Sequence, residues 1–157
     1  MSAELPNREL PDGNGFTLAI VAARFNAEMV DALVERVQNS LLKAGAVVEV
    51  IRVPGAWELP LGAQIAARAG RFDAVIALGV VIAGDTRHHE HIADATGWGI
   101  QEVSLKEHLP VINGILVTET EEQAHARTLG DVDKGYHFAL AALEMAGLMQ
   151  AQPNSPA

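Results

Sequence analysis

The chain contains 157 residues, of which 49% are hydrophobic and 20% are charged, so it is long and apolar enough to bury one core. Its formal net charge of −9 argues against a nucleic-acid partner, because such a surface needs clustered Lys and Arg side chains. The sequence has no cysteine, which excludes disulfides, thiolate nucleophiles and cysteine-based metal sites.

Both ends of the chain are polar. Residues 1–15 contain two prolines and two glycines and predict an extended arm, without the charged-then-apolar pattern of a secretory signal. Residues 150–157 predict a flexible tail. Apolar runs fall well short of the roughly 20 residues that cross a bilayer. We therefore expect a cytoplasmic protein with no membrane partner.

Strand and helix patterns alternate along residues 16–149, which we expect to form a single domain. Near-continuous apolar runs predict four strands, at 16–22, 47–53, 74–81 and 111–117. Helical spacing of apolar residues predicts five helices, at about 27–44, 59–69, 88–105, 120–127 and 134–149. This alternation indicates an α/β fold, a three-layer α/β/α sandwich around a four-stranded parallel sheet.

Local signals mark several helix ends. Asn26 is predicted to cap the first helix and Gly45 to terminate it. Thr120 and Gln123 have the spacing of a capping box at the start of the fourth helix. Gly97-Trp98-Gly99 interrupts the composition of the third helix.

Ligands of parallel sheets bind beyond the carboxyl ends of the strands. After the first three strands come Arg24-Phe25-Asn26, Ala56-Trp57-Glu58 and Gly84-Asp85-Thr86, so these groups should face one crevice. The third group joins a strand, a small-residue turn and a helix start, a combination that favours anions. Thr86 adds a hydroxyl donor, and His88 can transfer a proton near neutral pH. The sequence predicts a phosphate site beside an acid/base.

Five motifs follow one another along the chain: RFN at 24–26, VPGAWELP at 53–60, LGVVIAGDTRHHEHI at 78–92, EEQAHAR at 121–127, and DKG with ALEMA within 133–146. In this order they resemble the 6,7-dimethyl-8-ribityllumazine synthase family of riboflavin biosynthesis. The resemblance implies a transferase that condenses 5-amino-6-(ribitylamino)uracil with 3,4-dihydroxy-2-butanone 4-phosphate. Imine formation, phosphate elimination and ring closure would release phosphate and water, and no cofactor or metal is implied.

The resemblance also implies roles for single residues. His88 matches the general acid/base, and Phe25 matches the ring that lies against the pyrimidine. The segments that hold the pyrimidine and the ribityl chain match Asn26, Ala56, Trp57, Glu58, Val80, Val81 and Ile82. The phosphate loop matches Gly84, Asp85 and Thr86, with Arg127 as a charged clamp from a neighbouring subunit. Lys134 matches a family lysine beside the last helix.

The chain departs from the family pattern at three places. Ala83 stands where the family often has Arg, although the neighbouring Arg87 restores a positive charge to that turn. Asn113 stands where many members place a Phe that packs on the substrate ring across a subunit boundary. Residues 128–133 are about one residue shorter than in shell-forming members. The resemblance therefore implies a homopentamer and leaves a sixty-subunit shell open.

Other interpretations of the same residues remain. His88, His89 and His91, with Glu90, suit a metal site because His88 and His91 lie on one helix face, or they are solvated histidines. The family resemblance favours a structural or accidental role for His89 and His91. Phe25 alone is typical of a core residue, and Arg127 alone of a cation that stabilises a helix end. The fold, which is flavodoxin-like, also suits a binding module without turnover, and Asn113 and Ala83 are compatible with an inactive or shell-forming paralogue.

Overall fold

A computed structural model describes residues 8–153 of the chain. The strands of this range are β1 (Thr17–Ala23), β2 (Val47–Val53), β3 (Ala74–Ile82) and β4 (Val111–Thr118). The helices are α1 (Ala27–Lys43), α2 (Leu59–Arg68), α3 (His88–Glu107), α4 (Glu121–Thr128) and α5 (Lys134–Ala151). A 3₁₀ turn at Ala56–Glu58, which the sequence did not predict, precedes α2.

The two predicted terminal segments lie partly outside the described residues. Residues 8–15 of the predicted arm contain neither helix nor strand. At the other end, α5 continues to Ala151, two residues beyond the predicted end of the helix. None of the helices described here has the length and apolar character that a membrane span requires.

The four strands form one parallel sheet in the order β2-β1-β3-β4. Because side chains alternate across a strand, each strand supplies two cores. One face packs against α1 and α5 through Leu18, Ile20, Ile76 and Leu78. The other face packs against α2 and α3 through Ala19, Val21, Val75 and Ala77. The predicted three-layer sandwich with a four-stranded parallel sheet is confirmed.

Helix α3 runs without a break through Gly97-Trp98-Gly99, so the predicted helix at about 88–105 is confirmed although these glycines interrupt its composition. A Cβ atom at Gly99 would lie 2.8 Å from Cγ of Pro60, at the start of α2. Glycine therefore allows α3 to approach α2 closely. Glycine in a helix interior costs about 1 kcal/mol relative to alanine, and the close packing of the two helices offsets this cost.

Asn26 occupies the N-cap position of α1, as predicted, but the capping hydrogen bond expected of its side chain does not form. The Asn26 backbone is left-handed, with φ 57° and ψ 48°. The Asn26 Nδ2 instead donates to the backbone oxygen of Val80 at 2.7 Å. Two other predicted helix ends are confirmed: Gly45 follows α1 with φ 94°, and Thr120 and Gln123 form the capping box of α4.

Candidate active site

A cavity of about 450 Å³ opens at the carboxyl edge of the sheet, beyond β1 and β3. Its walls come from the end of β1, the 3₁₀ turn, the end of β3 and the first turn of α3. The lining residues are Ala23, Phe25, Asn26, Gly55, Ala56, Trp57, Glu58, Val80, Val81, Ile82, Gly84, Thr86, His88, His89 and Ile92. The segments after the first three strands thus meet at one crevice, as the topology predicted.

The floor of the cavity is an open edge of β3. The ladder between β1 and β3 ends at Leu78, whereas the ladder between β3 and β4 continues to Ile82. Ala83 N donates to β4, so the alternation of the strand directs the backbone of Val80 and Ile82 toward the cavity. The Val80 oxygen already accepts from Asn26. The other backbone N–H and C=O groups of this edge are a donor and acceptor pattern with which a planar cyclic amide can form hydrogen bonds.

Two aromatic side chains stand at the mouth of the cavity. Phe25 is 74% exposed and Trp57 is 62% exposed, so neither belongs to the core. The interpretation of Phe25 as a core residue is therefore wrong. The backbone N–H of Phe25 donates to Pro54 O at 3.2 Å, which ties the two loops together. Exposed aromatic faces of this kind suit a flat heterocycle.

Glu58 has a structural partner as well as a place in the cavity. Its Oε2 accepts from the backbone N–H of Gly55 at 3.0 Å, while its own N–H donates to Gly55 O at 3.2 Å. These two bonds close the 3₁₀ turn and fix Ala56 and Trp57 between them. The second carboxylate oxygen remains able to accept from the hydroxyls of a ligand.

The turn at residues 84–87 leads from β3 into α3. Thr86 Oγ1 accepts from the backbone N–H of His88 at 3.3 Å, so the Thr86 hydroxyl still has its hydrogen to donate. His88 is exposed on the first turn of α3, and the Nδ1 of the half-buried His89 lies 3.2 Å from Thr86 O. The positive end of the helix dipole favours an anion at this place.

Four lining residues were missed by the sequence interpretation: Ala23, Gly55, His89 and Ile92. Ile92 lies four residues after His88 and therefore on the same helix face, a spacing that could have revealed it. His89 was interpreted as structural or accidental. Its place in the wall depends on how α3 begins, which the sequence does not specify.

Four of the predicted site residues do not line this cavity: Asp85, Asn113, Arg127 and Lys134. Asp85 is exposed on the turn beside it. Asn113 is exposed on β4, where its Oδ1 accepts from Ile115 N at 3.1 Å. Arg127 lies on α4 and donates to Gln123 O at 2.9 Å, and Lys134 begins α5.

The charge of the cavity follows from this placement. Among the described residues that form its wall, Glu58 is the acidic side chain, and neither Lys nor Arg contributes. As for the metal interpretation, His91 and Glu90 stay outside the wall, and residues 8–153 hold no group of three His, Asp or Glu side chains arranged for an ion. The described wall of the cavity therefore carries no cationic side chain, whereas Arg87, which the sequence placed as a positive charge at this turn, is exposed beside it.

Fold and site together define an α/β/α sandwich with a ligand cavity at the carboxyl edge of a parallel sheet, a place where such folds bind small molecules. Comparison with known proteins specifies the family. The model of the 6,7-dimethyl-8-ribityllumazine synthase family matches residues 15–150. The chain belongs to this family, as the five sequence motifs predicted.

Three relatives carry the name 6,7-dimethyl-8-ribityllumazine synthase. The protein of Xanthomonas euvesicatoria pv. vesicatoria (strain 85-10) is 48% identical over 139 residues, which cover 86% of this chain and 90% of the relative. That of Xanthomonas campestris pv. campestris (strain B100) is 47% identical over 138 residues, with 85% and 90% covered. That of Xylella fastidiosa (strain M12) is 45% identical over 143 residues, with 88% and 93% covered.

Proposed function

We propose that this chain condenses 5-amino-6-(ribitylamino)uracil with 3,4-dihydroxy-2-butanone 4-phosphate to give 6,7-dimethyl-8-ribityllumazine, a transferase reaction of riboflavin biosynthesis. Family membership supports the activity. The observation that carries it here is the cavity in which two exposed aromatic rings, an open strand edge and the Thr86–His88 turn come together. Both proposed substrates are polar, and one is a phosphate that does not cross membranes, so we place the reaction in the cytoplasm.

The pyrimidine occupies the part of the cavity beside β3. Its ring lies against Phe25, and its amide groups pair with the backbone edge at Val80 and Ile82, with Val81 as part of the wall. The ribityl chain extends along Asn26 and the Ala56–Glu58 turn, where the Glu58 carboxylate accepts from its hydroxyls. The solvent exposure of Phe25 and Trp57 in the free chain supports this arrangement.

The butanone phosphate binds at the turn that precedes α3. Gly84 and the neighbouring backbone of Asp85 offer N–H groups, Thr86 offers its hydroxyl, and the Asp85 carboxylate points away from the anion. The substrate amine attacks the ketone, so the enzyme needs no nucleophile of its own. His88 transfers protons during imine formation and phosphate elimination.

The phosphate clamp comes from a second copy of the chain. A dianion at the turn needs a cation, and the described wall of the cavity has none. We assign this role to Arg127 of a neighbouring subunit, with Asn113 and Lys134 at the same boundary. The exposed Leu61, Ile65, Trp98 and Leu105 of α2 and α3 support burial of this face between copies, in a homopentamer as the family resemblance implies.

The appearance of the lumazine chromophore tests the activity. Purified protein is mixed with both substrates, and the absorbance increase is compared with the uncatalysed reaction. We expect acceleration by the wild-type protein and a loss of about 10²- to 10⁴-fold in His88→Ala, with pyrimidine binding little changed. Absence of acceleration with pyrimidine binding retained would favour the binding module or an inactive paralogue instead.

Subunit complementation tests where Arg127 acts. His88→Ala and Arg127→Ala chains are denatured together, mixed in equal amounts and reassembled. If each site takes His88 from one chain and Arg127 from its neighbour, random mixing restores about a quarter of the sites. If both residues act within one chain, every site stays defective and the mixture is as inactive as its components.

A further inference from the structure

The Thr86 residue is held from two sides by groups of the helix that follows it. Its side-chain oxygen accepts from the backbone N–H of His88 at 3.3 Å, and its backbone oxygen lies 3.2 Å from Nδ1 of His89. His89 is half-buried, whereas Thr86 and His88 are exposed.

The chemistry of this contact determines the tautomer of His89. A backbone carbonyl oxygen can only accept a hydrogen bond, so the ring must donate from Nδ1. In the neutral ring, Nε2 then carries the lone pair. His89 also forms part of the cavity wall, next to Thr86 and His88. A ring held in this way fixes the direction of the Thr86 carbonyl and, with it, the peptide plane that also carries the Arg87 N–H, within the turn at residues 84–87.

We propose that His89 is a positioning residue, which orients the turn at residues 84–87 for the phosphate group of the substrate by donating from Nδ1 to Thr86 O. The assignment rests on the proposed function, since it takes the turn as the phosphate site. His89 acts through Thr86 and exchanges no proton with the substrate. Its contribution therefore appears in phosphate affinity rather than in the rate of the proton transfers that His88 performs.

Three substitutions separate the hydrogen bond from the volume of the ring. In His89→Asn the amide nitrogen takes the position of Nδ1, in His89→Gln it takes the position of Nε2, and His89→Phe keeps a ring without a donor. His91→Phe is the matched control, because His91 is exposed on the same turn of α3 and lies outside the cavity wall.

The readouts are the Kd of inorganic phosphate by calorimetry, and the KM of the butanone phosphate and kcat by absorbance. In His89→Phe and His89→Gln we expect Kd and KM to rise about fivefold, as for the loss of one hydrogen bond, with kcat and pyrimidine affinity nearly constant. His89→Asn should recover most of the phosphate affinity, and His91→Phe should bind phosphate like the wild type. Equal losses in the Asn and Phe variants, or phosphate binding by His89→Phe at the wild-type level, would overturn the proposal.

The two readouts keep this proposal separate from the assigned activity. Suppose that the wild-type protein forms no lumazine, but that it and His89→Asn bind phosphate more tightly than His89→Gln and His89→Phe do. The proposed activity is then wrong and the positioning role of His89 stands. If lumazine forms at the same KM in all variants, the activity stands and the positioning role is wrong.

Discussion

Asn26 combines a left-handed backbone with a hydrogen bond across the cavity, and its replacement separates the two contributions. The bond from Nδ2 to Val80 O is 2.7 Å long and partly buried. Asn26→Ala removes it, which costs about 1 kcal/mol. Alanine at φ 57° adds about 1 to 2 kcal/mol of backbone strain that Asn tolerates better. The free energy of unfolding should therefore fall by about 2 to 3 kcal/mol.

Asn26→Gly is the matched variant, because glycine adopts a positive φ without strain. This variant loses the hydrogen bond, which costs about 1 kcal/mol. The greater freedom of glycine stabilises the unfolded chain by about 0.5 kcal/mol, so the free energy of unfolding should fall by about 1.5 kcal/mol in all. Urea unfolding followed by circular dichroism, at one protein concentration and with a constant m-value, measures both. If Asn26→Ala proves as stable as Asn26→Gly, backbone strain does not contribute. If Asn26→Gly matches the wild type, the bond to Val80 does not contribute.

Two further predictions concern the packing and the charges of α2 and α3. Gly99→Ala places a methyl group 2.8 Å from Pro60 Cγ and should destabilise the fold by about 1 to 3 kcal/mol. A Cβ at Gly147 would meet no described atom within 4 Å beyond the adjacent residues and backbone of its own helix, so Gly147→Ala should stabilise the fold by about 0.5 to 1 kcal/mol. Thermal unfolding of the two variants side by side should give Tm shifts of opposite sign, and shifts of the same sign would contradict the packing argument. Arg68 donates to Glu107 at 3.0 Å, which lowers the pKa of Glu107, so Arg68→Met should unfold at slightly lower urea at pH 7. That difference should begin to shrink below about pH 4, where the unfolded carboxyl is protonated, and disappear as the pH falls through the lowered pKa of folded Glu107, whereas a pH-independent difference would contradict the assignment.

The sheet could be predicted from the sequence because its strands are buried on both faces. Each strand is a short apolar run, and glycine, proline or a capping residue lies close to its ends. The observed strands agree with the predicted ones to within one residue at each end. Because all four strands are parallel, their carboxyl ends lie at one edge of the sheet, where ligands bind. Most residues of the cavity wall could therefore be predicted from the segments that follow the strands.

The features that the sequence did not reveal depend on contacts between distant segments. The Asn26 side chain bonds to Val80, 54 residues away, so local preference predicted a capping hydrogen bond that does not form. The helix α3 was predicted through its two glycines, but the close packing of Gly99 against Pro60, 39 residues earlier in the chain, could not be predicted from the sequence. Arg127 and Asn113 lie away from the cavity of their own chain, and periodicity and motif order did not indicate this. It was the family resemblance that implied contacts of these two positions across a subunit boundary.

The two tryptophans allow a direct test of the central claim, that the cavity beyond β1 and β3 binds the pyrimidine. Trp57 lines this cavity, whereas Trp98 is 77% exposed on α3 and lies outside it. The measurement is the quenching of tryptophan fluorescence by 5-amino-6-(ribitylamino)uracil in Trp57→Phe and Trp98→Phe. We expect quenching to be retained in Trp98→Phe and lost in Trp57→Phe. Quenching that survives in Trp57→Phe and disappears in Trp98→Phe would place the pyrimidine elsewhere and contradict the account.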